Sequence, residues 1–401
     1  MSVRKRTWEN GDGTQGESWI VAYRDRSGAR RFKSFDLKRD ADAYHAIVNV
    51  DVRQGLHIPD SQSVTVAEAG HQWLESCTGL ERTTRVQYDG HLRLHIVPLI
   101  GATKLSQFTV PMARAFEDKL AKDRSPAMVR KVMTSLGSIL ADAQERGLVA
   151  QNVVSNLRSH RRGKKKDVGQ HRKPKLKVGV DIPAPKEVSA LIAALDRIAP
   201  RGRALLLTAI FTGLRASELR GLPWSNVDLK RGELHVHQRG DRYGVIGPVK
   251  TNGSWRTVPL PPMLVTTLRE WKLACPPNDL DLVFPSGRGG VRKLSGIIED
   301  DLTPAWIAAR VVTRTGKAKY TGMHTLRHFY ASWCINRKRD GALELPLKVV
   351  SVRLGHASIQ MTADRYGHLF PSGDDGSELA AAEKALLRSV SQSGQREKGA
   401  F

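Results

Sequence analysis

The side chains with the most chemistry in them lie between His324 and Tyr366. The stretch reads MHTLRHFYASW and, further on, VRLGHASIQMTADRYGHLFP. His324 and Arg327 are three apart, so on a helical turn they share a face. Arg327 is planar and permanently charged, which suits two oxygens of one phosphate. His356 follows Gly355 and precedes a predicted helix start at Ala357-Ser358, where backbone N–H groups favour anions. Tyr366 brings a phenol, a nucleophile once something takes its proton. No metal–carboxylate clamp accompanies this set. It reads as a site that grips one phosphodiester and attacks it directly. Upstream, Arg215 follows the apolar run ALLLTAIF and a Thr212-Gly213 break. Thirty-five residues later, Lys250 stands between two β-like runs in PVKTNGSWRTVPL.

In chain order, TGLRASELRGLPWSNVD, VKTNGSWRTVPL, HTLRH and LGHASIQMTADRYGHLF resemble the four signature boxes of the tyrosine recombinases, the phage-type integrases. The boxes span residues 212 to 370, and the family's three-domain plan extends over nearly the whole chain. The spacing of ten from His356 to Tyr366 is that of the MTADRYGH-type phage integrases.

The resemblance implies a catalytic set of Arg215, Lys250, His324, Arg327, His356 and Tyr366. Cleaving a phosphodiester needs neutralised phosphoryl oxygens, an in-line nucleophile and a protonated leaving oxygen. Arg215 and Arg327 supply the first; an ion pair between Arg215 and Glu218 is the structural alternative for that arginine. Tyr366 is the nucleophile, and Lys250 the acid for the departing 5′-oxygen. His324 assists the tyrosine's proton, and His356 hydrogen-bonds a phosphoryl oxygen. Tyrosine ordinarily ionises near pH ~10, so it needs such help. Tyr330 reads as core, Tyr320 has no counterpart in the boxes, and His328 is placed on another face of its helix. Glu218 is expected to order the Arg215 helix. The family forms a 3′-phosphotyrosyl link that conserves the bond energy, so no cofactor and no metal is expected. Four protomers act on double-stranded DNA through a Holliday junction, with an excisionase and a host DNA-bending protein as candidate partners. A type IB topoisomerase-like enzyme and a non-enzymatic DNA-binding regulator are the competing readings.

The elements that must position this site are legible in outline. The chain has 401 residues, 64 Lys and Arg against 40 Asp and Glu, and a formal charge of +24. That excess points to a polyanionic partner such as nucleic acid. No apolar run is long enough for a bilayer, and MSVRKRTWENGDG has no signal-peptide core. The distant Cys77, Cys275 and Cys334 suggest reduced thiols in a cytoplasm. The expected fold is multidomain, mainly α with small β-sheets. Residues 1–60 read as short strands, a Ser27-Gly28 turn and a helix stopped at Gly55: a ββ(β)α unit like an arm-type DNA-binding domain. Its candidate DNA contacts are Arg24, Arg26, Arg30, Arg31 and Lys33. Residues 64–160 read as helices, like a core-binding (SAM-like) domain, with one helix stopped by Pro98 and Gly101 and another capped by Ser125-Pro126. Arg82, Thr83, Thr84, Arg85, Tyr88, Lys131 and Thr134 are its candidate phosphate contacts. Residues 161–184 form a basic linker with Arg161, Arg162, Lys164, Lys165 and Lys166 as a strap along phosphates. Residues 185–370 form a mixed α/β catalytic domain, and 371–401 a tail whose partner, its own domain or a neighbouring protomer, is open.

Overall fold

The computed structural model describes residues 2–24, 28–53, 59–161, 175–249 and 255–370, with a few positions between 376 and 387. The chain divides into two compact units, Met1–His171 and Arg172–Phe401. Gly55 and Arg26 lie outside the described residues, as do Arg162, Lys164, Lys165, Lys166, Lys250 and most of the tail; Arg161 ends a helix, its side chain undescribed.

The first unit opens with an antiparallel sheet of β1 (Ser2–Glu9), β2 (Gln15–Arg24) and β3 (Arg30–Phe35), in that order. Alternate residues of β2, the central strand, point to opposite faces of the sheet. One face packs Val21 and Tyr23 against Ala41 and Val48 of α1 (Lys38–Arg53). The register puts Arg4 beside Ile20, Arg6 beside Ser18 and Arg24 beside Arg30, all on the opposite face.

A helical bundle follows in the same unit. Thr65 and Glu68 cap α2 (Val66–Ser76) reciprocally, Glu68 N donating to Thr65 Oγ1 and Thr65 N to the Glu68 carboxylate. Then come α3 (Arg82–His91), a π-turn (Leu92–Ile96), α4 (Val97–Ile100), α5 (Val110–Asp123), α6 (Pro126–Glu145) and α7 (Val153–Arg161). Trp73, Leu92, Phe116, Leu136 and Ile139 are buried among them. The expected stop at Pro98 is not found. The π-turn resets the hydrogen-bond pairing, so Pro98 falls in the first turn of α4, where no N–H is required. Ser125 caps α6 as its sequence predicts, its hydroxyl accepting from Met128 N.

The second unit begins earlier than its helix signal suggests. Residues 175–184, assigned by composition to the basic linker, are folded: Leu176 and Ile182 are in the core, and His368 Nε2 lies 2.7 Å from the Leu176 carbonyl. Next come α8 (Pro185–Ala194), α9 (Pro200–Thr212) and α10 (Ala216–Arg220). A three-stranded sheet ordered β4 (Val227–Asp228), β5 (Glu233–Val236), β8 (Arg256–Pro259) is interrupted by a hairpin of β6 (Gln238–Gly240) and β7 (Ile246–Pro248). The remaining helices are α11 (Pro262–Ala274), α12 (Leu294–Gly296), α13 (Thr303–Ala308), α14 (His324–Ile335), α15 (Leu347–Leu354) and α16 (Ile359–Tyr366). Buried α9 lies at the centre, with α14 and α11 against it. Gly213 ends α9 at φ +60°, where a Cβ would fall 2.3 Å from Tyr330. Only glycine allows that close turn into Arg215. Among the described residues no helix is long and apolar enough to cross a membrane.

Candidate active site

Three arginines converge on the end of one helix. The final carbonyls of a helix lack partners within it and carry the negative end of its dipole. At the end of α15, three consecutive carbonyls each accept from a different guanidinium. Arg256 Nε donates to Arg353 O (2.8 Å), Arg327 Nη2 to Leu354 O, and Arg215 Nη2 to Gly355 O (2.8 Å). Gly355, at φ +61°, turns the chain so that the last two carbonyls stay accessible; a Cβ there would meet Arg256 Nη1 at 2.7 Å. Arg327 also donates through Nη1 to Gly213 O at 2.7 Å.

Glu218 sits behind these cations. Its buried carboxylate accepts from Arg215 N (2.8 Å) and Arg215 Nη1 (2.7 Å), and from Arg256 Nη2 (2.7 Å). Burial pushes this carboxyl up, but the hydrogen bonds and charge of Arg256, with Arg215 behind them, win and hold it at about 2. The expected ordering role of Glu218 and the alternative Arg215–Glu218 ion pair are therefore both present at once. Burial, with the Arg215 charge nearby, lowers the Arg327 guanidinium to about 9, so it stays charged at neutral pH.

The imidazoles and the phenol lie on α14 and α16 and in the turn between α15 and α16. His324 is the exposed first residue of α14; burial of its inner side, then Arg327, Arg215 and Arg365, lower its pKa. The His356 ring stacks on Tyr366, centroids 6.3 Å apart at 5°, and its Nδ1 is 2.7 Å from Thr362 Oγ1. Burial and then the cations bring His356 to about 4. The helix-start reading of His356 needs correction. Its N–H closes α15 on Ser351 O, and α16 begins only at Ile359, capped by Ser358. Any part for His356 therefore rests on its ring. Tyr366, the last residue of α16, is 1% exposed. Burial raises its pKa, and Arg327, Arg365 and Arg215 pull it back.

The structure thus brings Arg215, His324, Arg327, His356 and Tyr366 to one region; Lys250 lies outside the described residues. Sequence reasoning missed three neighbours. His328, set aside as facing elsewhere, places Nδ1 2.7 Å from the Tyr366 hydroxyl. Most of α14 from Leu326 to Ile335 is buried, so a residue turned away from Arg327 still faces protein, and for His328 that protein is α16. Arg256 is fully buried, a charge on the inward register of β8 beside Val258. Arg365 adds positive potential next to Tyr366. Tyr330 is a core residue, as its apolar neighbours suggest, and Tyr320 is buried too, donating to Glu187 at 2.8 Å.

The outlying candidates separate by face. Arg24 and Arg30 lie with Arg4 and Arg6 on the sheet face away from α1. Arg31 and Lys33 occupy the α1 side, a correction to their grouping with the others. Lys33 lies 4.5 Å from the Tyr44 ring centre and pairs with Asp60 at 2.7 Å; Arg31 reaches Ser61 at 3.5 Å. In the bundle, Arg82, Arg85, Lys131 and Thr134 are exposed, while Thr83 and Thr84 are half-buried. Thr134 donates to Arg130 O, Thr83 to Glu81, and half-buried Tyr88 packs on Trp73 at 4.8 Å.

Residues 184–372 match the model of the phage integrase family. The chain is 28% identical over 382 residues to a XerC-like tyrosine recombinase of Caldanaerobacter subterraneus subsp. tengcongensis, covering 88% of this chain and 92% of that protein. It is 33% identical over 172 residues to XerC of Xylella fastidiosa, covering 42% of this chain and 49% of that protein. Its fold is similar to that of the Tn1549 transposon integrase in complex with a circular intermediate DNA (TM-score 0.61, 15% identity, 80% of this chain and 100% of that one). It is also similar to a lambda integrase dimer bound to a core site (TM-score 0.54, 17% identity, 92% and 97%). With its four boxes in order and the arginines and tyrosine they carry gathered around one helix end, the stretch 184–372 is a phage integrase family domain.

Proposed function

We propose that the protein is the integrase of a prophage or integrative element, a site-specific recombinase acting on double-stranded DNA through a 3′-phosphotyrosyl intermediate. The observation that carries this reading is the shared anchoring of Arg215 and Arg327 on consecutive carbonyls near Tyr366. A guanidinium has five N–H donors. Each arginine spends part of its set on the protein and keeps the rest for phosphoryl oxygens. Tyr366 Oη attacks phosphorus, the phenolic proton passes to His324, and the P–O5′ bond breaks. Lys250 protonates the departing oxygen, while His324 and His356 complete the phosphate's surroundings. The reverse step, by a 5′-hydroxyl of the partner strand, reseals the DNA without external energy.

The remaining assignments are part of the same reading. Residues 1–60 bind arm-type sites through the sheet face of Arg4, Arg6, Arg24 and Arg30. Residues 64–160 clamp the core site with the exposed cations of α3 and α6, and residues 161–174 supply a basic strap. Four copies assemble in the synaptic complex, an excisionase and a DNA-bending protein set direction, and the work is done in the cytoplasm.

Covalent capture tests this. The protein is incubated with a library of nicked duplexes, and detergent-resistant adducts are isolated and sequenced. Wild type should trap a defined sequence through its 3′ end, and Tyr366→Phe should trap none. Adducts formed equally by Tyr366→Phe would remove the nucleophile assignment. Relaxation of unrelated supercoiled plasmid, with no preferred sequence captured, would replace the recombinase by a topoisomerase.

A further inference from the structure

His328 has no part in the mechanism above, yet it is the group in direct contact with the nucleophilic oxygen. Its Nδ1 lies 2.7 Å from Tyr366 Oη, and both residues are buried. The ring is itself held. His324 packs on it edge-on, centroids 4.8 Å apart at 89°, and the Tyr366 ring meets it at 5.7 Å. On its far side the phenol stacks against His356. The direction of the hydrogen bond follows from the surroundings. Burial, then His324, Arg365 and Arg327, hold the His328 imidazole down at about 3, so it is neutral at physiological pH. Burial keeps the phenol protonated. Tyr366 therefore donates, Nδ1 accepts, and the ring proton is on Nε2. A nitrogen that resists a proton, facing an oxygen that resists losing one, is suited to aiming that oxygen and unsuited to being its base.

We propose that His328 is a positioning residue for the nucleophile: by accepting the Tyr366 hydroxyl it fixes the place from which the phenolic oxygen begins its attack. This rests on the integrase reading above. A misplacement of about 1 Å at a reacting atom costs on the order of a hundredfold in rate, and among the described residues Nδ1 of His328 is the hydrogen-bond partner of the phenolic oxygen.

The test is single-turnover adduct formation on the duplex captured by wild type, at saturating protein, with melting temperature and DNA affinity measured alongside. His328→Leu removes the acceptor. His328→Asn keeps one near the Nδ1 position, and His328→Gln moves it toward Nε2. The Leu and Gln variants should slow on the order of a hundredfold and the Asn variant should stay within about tenfold, at unchanged DNA affinity. On a duplex with sulfur in place of the leaving 5′-oxygen, where no proton is needed by the leaving group, the Leu variant should remain slow. The proposal is overturned if Leu or Gln cleaves at the wild-type rate, if Asn and Gln are equally slow, or if the sulfur duplex restores the Leu variant. Should the Leu variant fail to fold, the Asn–Gln pair decides. If wild type captures no duplex at all, the integrase reading falls first and this role with it.

Discussion

Arginines serve two opposite purposes in this chain. Around α15 they are clamped: Arg256 and Arg327 are buried, their hydrogen bonds run to carbonyls and to Glu218, and Arg215 is held at two ends. On the outer face of the N-terminal sheet, Arg4, Arg6, Arg24 and Arg30 stand exposed, and Arg30 merely lies over Phe32, 5.3 Å from its ring. The contrast is one of when the ordering cost is met. A clamped, desolvated guanidinium has lost its rotamer freedom and its water before any ligand arrives, so the direction of its field is fixed in advance. An exposed one orders only on binding, and its attraction is screened by salt. The first suits chemistry, the second adhesion.

The comparison is broken most severely by removing a clamped cation. Arg327→Ala should lower single-turnover cleavage by about a thousandfold or more and leave binding to the same duplex within a few-fold. Equal losses in both would show that Arg327 only binds. Next comes the clamp's counter-charge. Glu218→Ala leaves Arg256 buried without its partner and should cost about 3–5 kcal/mol in urea unfolding. Because the folded carboxyl is held at about 2 against an ordinary 4.5, its contribution is intact above pH 4.5 and decays as pH falls toward 2. In Glu218→Gln that acid-side slope should flatten; an unchanged slope would assign it to other carboxylates. Gly355→Ala forces a side chain into the left-handed region and against Arg256, and should cost about 1–2 kcal/mol with a drop in cleavage. On the adhesive side, Arg4→Ala with Arg30→Ala should weaken arm-site binding and reduce the salt slope by about 0.9 for each phosphate left without its cation. Cleavage of a saturated core duplex should not change. If it does, the two sets of arginines are not separable.

How much of this the sequence makes legible depends on what kind of constraint each residue obeys. Arg215, His324, Arg327, His356 and Tyr366 can be picked out because their types fit phosphoryl chemistry and they stand in boxes that keep their order, and the structure brings them to one region. His328 and Arg256 cannot, since each matters through what it touches. A histidine next to Arg327 and an arginine in a β-strand carry no spacing that names Tyr366 or Glu218 as their partner. The sheet and its helix are legible from period-two and period-3.6 patterns, yet Arg31 and Lys33 group by composition with Arg24 and Arg30. Composition counts charges without asking which side of the pleat holds them, and the register decides that. Pro98 misleads for a related reason. A proline stops a helix only if the pairing stays in α register, and the π-turn before it does not.

The run of Arg353, Leu354 and Gly355 has a mechanical consequence. One short piece of backbone grips an arginine from each of three stretches that are far apart along the chain. Were that peptide to shift, the grips would travel together, and the span between the Arg215 and Arg327 forks would barely alter. The jaws behave like a caliper locked at one opening: the tool can be carried toward a strand or withdrawn from it while its gauge is kept.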